Sequence, residues 1–134
     1  MFKKVDTYLV LSDENRFYFT GFKSSFGCVI LTENEKFFIT DPRYAAEARK
    51  LISGFTVLTT VGANFYDDIV KVLKKVNAKV VGYEDEYVTV AGFKKLKSVL
   101  DGFTLKPASA DFNAERIIKT EDEIKKIAAA EVVT

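Results

Sequence analysis

The sequence contains no histidine and no tryptophan, and only one cysteine and two prolines among its 134 residues. Histidine is the commonest general base and the commonest metal ligand, so its absence excludes Ser-His-Asp and Cys-His catalysis within this chain. The lone cysteine, Cys28, excludes an internal disulfide and is compatible with a reducing, cytoplasmic compartment. The chain therefore lacks histidine, the side chain that enzymes use most often as a general base.

Long apolar runs, strong net charge and phosphate-binding loops are missing as well. No run reaches the roughly 18 apolar residues of a membrane span, and the first residues have no signal-peptide pattern. The net charge is +1 with both signs interspersed, which gives no electrostatic case for nucleic acid or an anionic membrane. A composition of 48% hydrophobic and 29% charged residues is that of one ordinary globular domain.

Short apolar runs alternate with segments of helical periodicity along the chain. Strands are predicted at Thr7–Leu11, Phe26–Leu31, Lys36–Thr40, Phe55–Thr60, Lys79–Tyr83 and Phe103–Lys106. The second and third of these flank the tetrapeptide TENE and predict an antiparallel hairpin. The expected fold class is α/β, a three-layer domain with a mixed, mostly parallel sheet of five to six strands and helices on both faces.

The helices are marked by their own start and stop residues. Asp41-Pro42 predicts an N-cap and first turn, with Gly54 as the left-handed stop. The predicted apolar face consists of Tyr44, Ala45, Ala48, Leu51 and Ile52. A short helical or turn segment is predicted at Asn15–Thr20 before Gly21. Further helices are predicted from near Asn64, from Thr89 to Gly102, and from Thr120.

The last predicted helix opens with a capping box, Thr120 to Glu123, and meets no stop residue before Thr134. A short terminal helix that frays is one interpretation. The other, which we prefer, is a chain cut within a helix that leads to another domain. We therefore expect one domain over residues 1–118 and the start of a linker helix over 119–134.

Few residues suggest chemistry of their own. Cys28 lies in an apolar strand and is expected to be a buried, inert thiol. The acidic triplet Glu84-Asp85-Glu86 has ligand atoms for Ca²⁺ or Mg²⁺ but no EF-hand spacing, so we interpret it as a solvated turn. The residues by themselves thus indicate a non-catalytic α/β module.

Four blocks of sequence resemble the N-terminal domain of the creatinase/prolidase/aminopeptidase P family, and they occur in the family order. They are Asn15–Phe22 (NRFYFTGF) with Ser24–Gly27, Phe38–Tyr44 (FITDPRY), Val81–Glu84 (VGYE) with Val88-Thr89, and Glu115–Ile124 (ERIIKTEDEI). Each block alone is weak, but together they cover nearly the whole chain and are specific. Two positions depart from the family pattern: Arg16 replaces the usual isoleucine, and Pro42 replaces a common glycine.

The resemblance implies a non-catalytic N-terminal domain of an Xaa-Pro aminopeptidase or prolidase-like metallopeptidase. In the family, a following pita-bread domain carries two divalent metals, here expected to be Mn, Co or Zn, together with the catalytic residues. No catalytic, cofactor-binding or metal-binding residue is therefore expected in this chain. The parent protein would be a homodimer that cleaves proline-containing peptides, without nucleic-acid or membrane partners.

In the family, the loop after the T-G-F block approaches the active site of the partner subunit. Carried over, that role falls on a loop of five residues and on one arginine: Phe22, Lys23, Ser24, Ser25, Phe26 and Arg43. Apolar rings would suit a proline-containing substrate, and Lys23 with the hydroxyls would suit its polar ends. An ordinary connecting loop with a buried Phe26 is the alternative, and simple helix packing is the alternative for Tyr44.

Two other functions remain open at this point. Some members of the family are catalytically inactive and serve as interaction or chaperone modules, and this chain could belong to such a protein. It could also be an independent small α/β domain with a ligand of its own. A downstream D…D…H…E…E series of metal ligands would distinguish the peptidase from both.

Overall fold

The structure is a computed structural model that describes residues 2–24, 26–62 and 65–117. Over these ranges it contains six strands and five helices. In chain order they are β1 (Thr7–Val10), α1 (Asp13–Thr20), β2 (Cys28–Leu31), β3 (Lys36–Thr40), α2 (Pro42–Leu51), β4 (Thr56–Thr59), α3 (Tyr66–Lys75), β5 (Val80–Tyr83), α4 (Val90–Val99), β6 (Thr104–Pro107) and α5 (residues 109–117). No helix in the described part of the chain is both long and apolar enough to cross a membrane.

All six strands belong to one mixed sheet in the order β4-β3-β2-β1-β5-β6. The predicted hairpin is confirmed: β2 and β3 are antiparallel and pair Cys28 with Ile39 and Leu31 with Lys36. Strand β1 is antiparallel to β2, whereas the other three pairs are parallel. The sheet is therefore mostly parallel, as expected from strands that alternate with helices.

Alternate residues of the central strands supply two separate cores, one on each face of the sheet. On one face Tyr8 and Phe38 pack with α2 and α5, through residues such as Ala48 and Phe112. On the other face Leu9 packs with the apolar sides of α3 and α4. Because both faces are covered, the central strands are apolar throughout, and the three-layer α/β fold is confirmed.

Several predicted helix ends are confirmed in atomic detail. The Asp41 carboxylate accepts the backbone N–H of Arg43 at 2.9 Å, with Pro42 in the first turn of α2. Thr89 caps α4 by accepting the N–H of Gly92 at 3.0 Å. Gly21 ends α1 with a φ of 72°, a conformation that glycine adopts without strain.

The predicted end of α2 is wrong. The helix ends at Leu51, and Ile52 is already extended with a φ of −100°. The extended backbone buries Ile52 to 6% exposure, whereas Leu51, predicted on the buried face, is 65% exposed. Gly54 does adopt a left-handed φ of 79°, but within the turn that follows the helix. The helix therefore ends three residues before Gly54, whereas the expected burial of Ile52 is confirmed.

Helix α5 was not predicted. Its first turn is held by Asp85, whose carboxylate accepts the N–H of Ser109 at 2.8 Å, a contact between residues 24 apart in sequence. The Tyr8 hydroxyl donates to Asp111 at 2.6 Å, and burial raises the pKa of Tyr8 to about 12. The helix predicted from Thr120 lies outside the described residues.

The contact between Asp85 and α5 predicts a dependence on pH. The hydrogen bond from the Ser109 N–H, the largest cause, lowers the pKa of Asp85 from its usual 3.8. A lowered pKa means that the stabilisation is present above about pH 4 and is lost as the pH falls further. We expect the protection of the α5 amides against hydrogen exchange, relative to their intrinsic exchange rates, to fall below that pH, and Asp85→Asn to show low protection already at neutral pH.

The matched control for that experiment is Asp101→Asn, an exposed aspartate in the turn after α4. It should leave exchange in α5 unchanged at every pH. Equal exchange profiles for wild type and Asp85→Asn would contradict a role of Asp85 in holding α5.

Candidate functional site

The candidate site residues lie at one edge of the sheet, where the parallel strands end. Strand β1 leads into α1, β3 leads into α2, and β5 leads towards α4 at this edge. The loop that enters β2 lies there too, because β2 runs antiparallel to β1. The carboxyl ends of parallel strands are the usual place for ligands in open α/β sheets. We call this edge the carboxyl edge.

Glu84 is buried at the centre of the carboxyl edge, with 2% of its surface exposed. Its carboxylate accepts the backbone N–H groups of Leu11 and Ser12, the hydroxyl of Ser12, and the side-chain amide of Asn15 at 2.7 Å. The interpretation of residues 84–86 as a solvated turn is thus wrong for Glu84. Its negative charge sits at the N-terminus of α1, where unpaired N–H groups and the helix dipole stabilise an anion.

These contacts explain why separate blocks of the sequence share one edge. Asn15 opens the first block and Glu84 closes the third, and their side chains are hydrogen-bonded to each other. The start of the fourth block joins them, since the Arg116 guanidinium donates to Glu14 at 2.5 Å. Contacts from the third and fourth blocks therefore meet at the first turn of α1.

Arg16 is the buried cation of this edge, 6% exposed. Its guanidinium donates to the carbonyl oxygens of Leu11 at 2.7 Å and Ser24 at 2.8 Å, and it also pairs with Asp13. It therefore ties the loop after α1 back to the end of β1. Only the departure from isoleucine marked this residue in the sequence, and nothing in the local pattern indicated that its charge is buried.

Lys23 and Ser24 lie together at the rim of an open cleft of about 470 Å³. Phe17 and Tyr44 form its apolar walls, and Phe17 is 45% exposed. The Lys23 ammonium lies 5.6 Å from the centre of the Phe17 ring, within the range of a cation–π contact. We call this the Lys23 cleft; its lining combines an exposed lysine, a serine and two aromatic rings with the acidic residues Asp13 and Glu14.

The two phenylalanines of the loop have different surroundings. Phe22 is 6% exposed and packs edge-on against Phe38 in the core, with ring centres 6.0 Å apart. It holds the loop on the core, and its side chain is almost completely shielded from solvent. Phe26 is only partly buried, and its ring meets Phe65 at 5.3 Å, away from the Lys23 cleft. Ser25 lies outside the described residues.

Arg43 is exposed and belongs to the start of α2. Its guanidinium donates to the Asp41 carboxylate at 2.6 Å and lies 5.4 Å from the centre of the Tyr44 ring. The hydrogen bond from Arg43 is the main reason that the pKa of Asp41 is lowered. Tyr44 is half-buried against the core and also lines the Lys23 cleft. Tyr44 therefore packs against the core and also forms part of the wall of the Lys23 cleft.

Cys28 is fully buried in β2, and burial raises the pKa of its thiol far above the usual range. The prediction that Cys28 is buried is confirmed, and a thiol that rarely ionises is a poor nucleophile. Within residues 2–24, 26–62 and 65–117, no group of three or more acidic, cysteine or histidine side chains could hold a metal ion. At this edge the Ser12 hydroxyl donates to the Glu84 carboxylate, but both side chains are buried among the contacts that hold the start of α1.

Comparison with known proteins identifies the family of this chain. The sequence model of the Creatinase/Prolidase N-terminal domain matches residues 2–118. The chain belongs to the creatinase/prolidase N-terminal domain family. The resemblance of the four blocks is thereby confirmed, and the creatinase/prolidase N-terminal domain of this protein can be compared with its relatives.

The relatives are peptidases by name. The domain is 27% identical to the uncharacterized peptidase YqhT of Bacillus subtilis over 121 residues, which cover 90% of this chain and 34% of that protein. The chain thus spans about a third of the length of this curated relative. Two-thirds of YqhT therefore has no counterpart in the sequence described here.

Solved structures share the fold. The X-Pro aminopeptidase of Thermotoga maritima matches with a TM-score of 0.80 and 27% identity, covering 92% of this chain and 36% of that one. The aminopeptidase P from Streptococcus thermophilus matches with a TM-score of 0.75 and 28% identity, covering 84% of this chain and 85% of that one. The coverage of the two chains is nearly equal in the second case, so that crystallised chain is about the size of this one.

Proposed function

We propose that this chain is the non-catalytic N-terminal domain of an Xaa-Pro aminopeptidase or prolidase-like peptidase. The parent would hydrolyse the bond between an N-terminal residue and proline. The observation that carries the proposal is the family match over residues 2–118, together with relatives that are named peptidases. The lack of histidine in the whole chain supports a catalytic centre that is located elsewhere in the parent.

The proposed parent would use two divalent metal ions, Mn, Co or Zn. The described residues of this chain do not fit such a centre, because they contain no group of acidic, cysteine or histidine side chains with the necessary spacing. We assign the metals to the parent's catalytic domain. The chemistry of peptide hydrolysis is therefore not attributed to any residue of this domain.

The contribution of the domain would be dimerisation and the rim of the partner subunit's substrate pocket. The Lys23 cleft supports this role, because it is open, carries one cation and presents aromatic walls at the carboxyl edge. Among the candidate residues, Lys23 and Ser24 line this cleft, and Arg43 precedes Tyr44 on its wall. Phe22 would act only indirectly, by holding the loop on the core.

The first test determines the gene sequence beyond codon 134. The encoded protein is then assayed for cleavage of Xaa-Pro peptides with added Mn²⁺, Co²⁺ or Zn²⁺. A D…D…H…E…E series and metal-dependent cleavage are expected from the longer protein, and no cleavage from residues 1–134 alone. A longer protein without that series would instead support an inactive interaction or chaperone module. A reading frame that stops at Thr134 would favour an independent domain with its own ligand.

The rim role makes a prediction about Lys23. In the full-length dimer, Lys23→Met should raise KM for Xaa-Pro peptides about threefold to tenfold with little change in kcat, because one exposed charged contact to the peptide is lost. Metal content, measured by atomic absorption, should be unchanged. The matched control is Lys97→Met, an exposed lysine on α4 that does not line the Lys23 cleft.

A further inference from the structure

A second cleft, of about 560 Å³, opens on the carboxyl edge between α1, α3 and α4. Its lining includes Phe26, Phe65, Tyr66 and Tyr87. The ring centres of Phe26 and Phe65 are 5.3 Å apart, as are those of Phe65 and Tyr66, so one wall is a continuous aromatic surface. The volume and the mostly apolar wall are those of a site for a small organic molecule. We call this the Arg16 cleft.

Arg16 lines this cleft and gives it a buried positive charge. The side chain is 7% exposed, and its Nε atom has no hydrogen-bond partner within the part of the chain that the structure describes. Its carboxylate partner is Asp13, which also lines the cleft and whose side chain is 82% exposed. A buried charge is normally paired with a firmly held counter-ion, whereas a solvent-exposed partner contributes little. The guanidinium also donates to the carbonyl oxygens of Leu11 and Ser24, so among the described residues its ionic partner is one exposed carboxylate that a ligand could replace.

The N-terminus of α4 adds positive potential to the same cleft. Thr89 and Gly92, at the cap and in the first turn, line the cleft, and this first turn contains no acidic residue. The helix dipole at this end therefore lacks the usual carboxylate. By contrast, the N-terminus of α1 is already occupied by the buried carboxylate of Glu84.

We propose that the Arg16 cleft binds a small aromatic carboxylate. The carboxylate would accept hydrogen bonds from the Arg16 guanidinium in place of Asp13, and the ring would lie against Phe26 and Phe65. Guanidinium groups prefer carboxylates because two parallel N–H donors match two oxygens. While no ligand is bound, the exposed carboxylate of Asp13 forms the ion pair with Arg16. The proposal does not depend on the peptidase role of the parent and concerns a cleft other than the Lys23 cleft.

The test titrates the 134-residue chain with 3-phenylpropionate and follows backbone amide shifts by NMR. Saturable shifts are expected at Gly27 and Gly92, with a dissociation constant of about 1 mM or below. The uncharged 3-phenylpropionamide, of nearly the same shape, should bind about tenfold more weakly because it lacks the charge that Arg16 recognises. Absence of saturable shifts at about 10 mM, or equal affinity for both compounds, would overturn the proposal.

Two variants separate the charge from the apolar wall. Arg16→Met should weaken binding of 3-phenylpropionate about tenfold or more, whereas the control Arg49→Met, an exposed arginine on α2, should leave it unchanged. Asp13→Asn keeps Arg16 in place and removes its competitor, so affinity should rise about threefold. If Arg16→Met does not fold, Asp13→Asn decides: unchanged or weaker binding would refute recognition by the guanidinium.

Discussion

Replacing Glu84 with alanine is expected to lower the free energy of unfolding by about 3–5 kcal/mol, which is a large share of the stability of a domain of this size. Its carboxylate is the acceptor for four donors, two backbone N–H groups, one hydroxyl and one amide. The side chain is 2% exposed, so water cannot replace these bonds without opening the edge. Urea denaturation followed by circular dichroism measures the difference.

Two further variants show whether the loss comes from the buried hydrogen bonds. Glu86→Ala changes an exposed glutamate of the same turn and should cost less than about 1 kcal/mol. Glu84→Gln keeps the shape and removes the charge, and a flip of the Asn15 amide would turn its unpartnered Oδ1 towards the new donor. It should therefore lie between Glu84→Ala and Glu86→Ala. Equal stability of all three proteins would show that the contacts at Glu84 do not hold the edge.

The strand pattern was predictable because it depends on local chemistry. The runs of residues 7–11, 26–31 and 36–40 are apolar on both faces of the sheet, and the caps at Asp41 and Thr89 lie beside the helices they start. Each signal is contained within a few residues of the element it defines. The alternation of these elements then leads to a mostly parallel sheet.

The features that sequence reasoning missed depend on contacts between distant residues. Glu84 bonds residues 69 to 73 positions away, so its local surroundings, an acidic triplet in a turn, gave the wrong interpretation. Helix α5 starts where Asp85 accepts the N–H of Ser109, and no capping residue next to Ser109 marked that start. Ile52 lies directly after α2 with an extended backbone and a buried side chain, and no residue beside it indicates that the helix ends there.

The sequence predicted where in the fold the candidate site lies, but it predicted only some of the residues that line the site. The family blocks directed attention to the loop after α1, and the structure places Lys23 and Ser24 of that loop in an open cleft. A block of sequence does not say which side chains point into the core, and Phe22 is one that does. Nor does it show that a cation in the isoleucine position, Arg16, is buried beside a second cleft.

Gly27→Ala should cost about 2–4 kcal/mol of unfolding free energy, because the position is restricted by both conformation and space. Its φ is 149°, in a region that residues with a side chain rarely adopt. An added Cβ would lie 2.7 Å from the carbonyl oxygen of Ile39 and 3.2 Å from the ring of Phe38. The carbonyl belongs to β3, which is paired with β2 directly after Gly27, so it cannot move without disturbing the hairpin.

The measurement is the urea midpoint of Gly27→Ala compared with Gly62→Ala. A methyl group added at Gly62 would meet no heavy atom within 4 Å, so this substitution should change stability by less than about 1 kcal/mol. Gly27 also lines the Arg16 cleft, and an outward shift of the loop should move Phe26 away from Phe65. We therefore expect Gly27→Ala to weaken 3-phenylpropionate binding along with stability, whereas wild-type stability in this variant would mean that the hairpin yields to the methyl group.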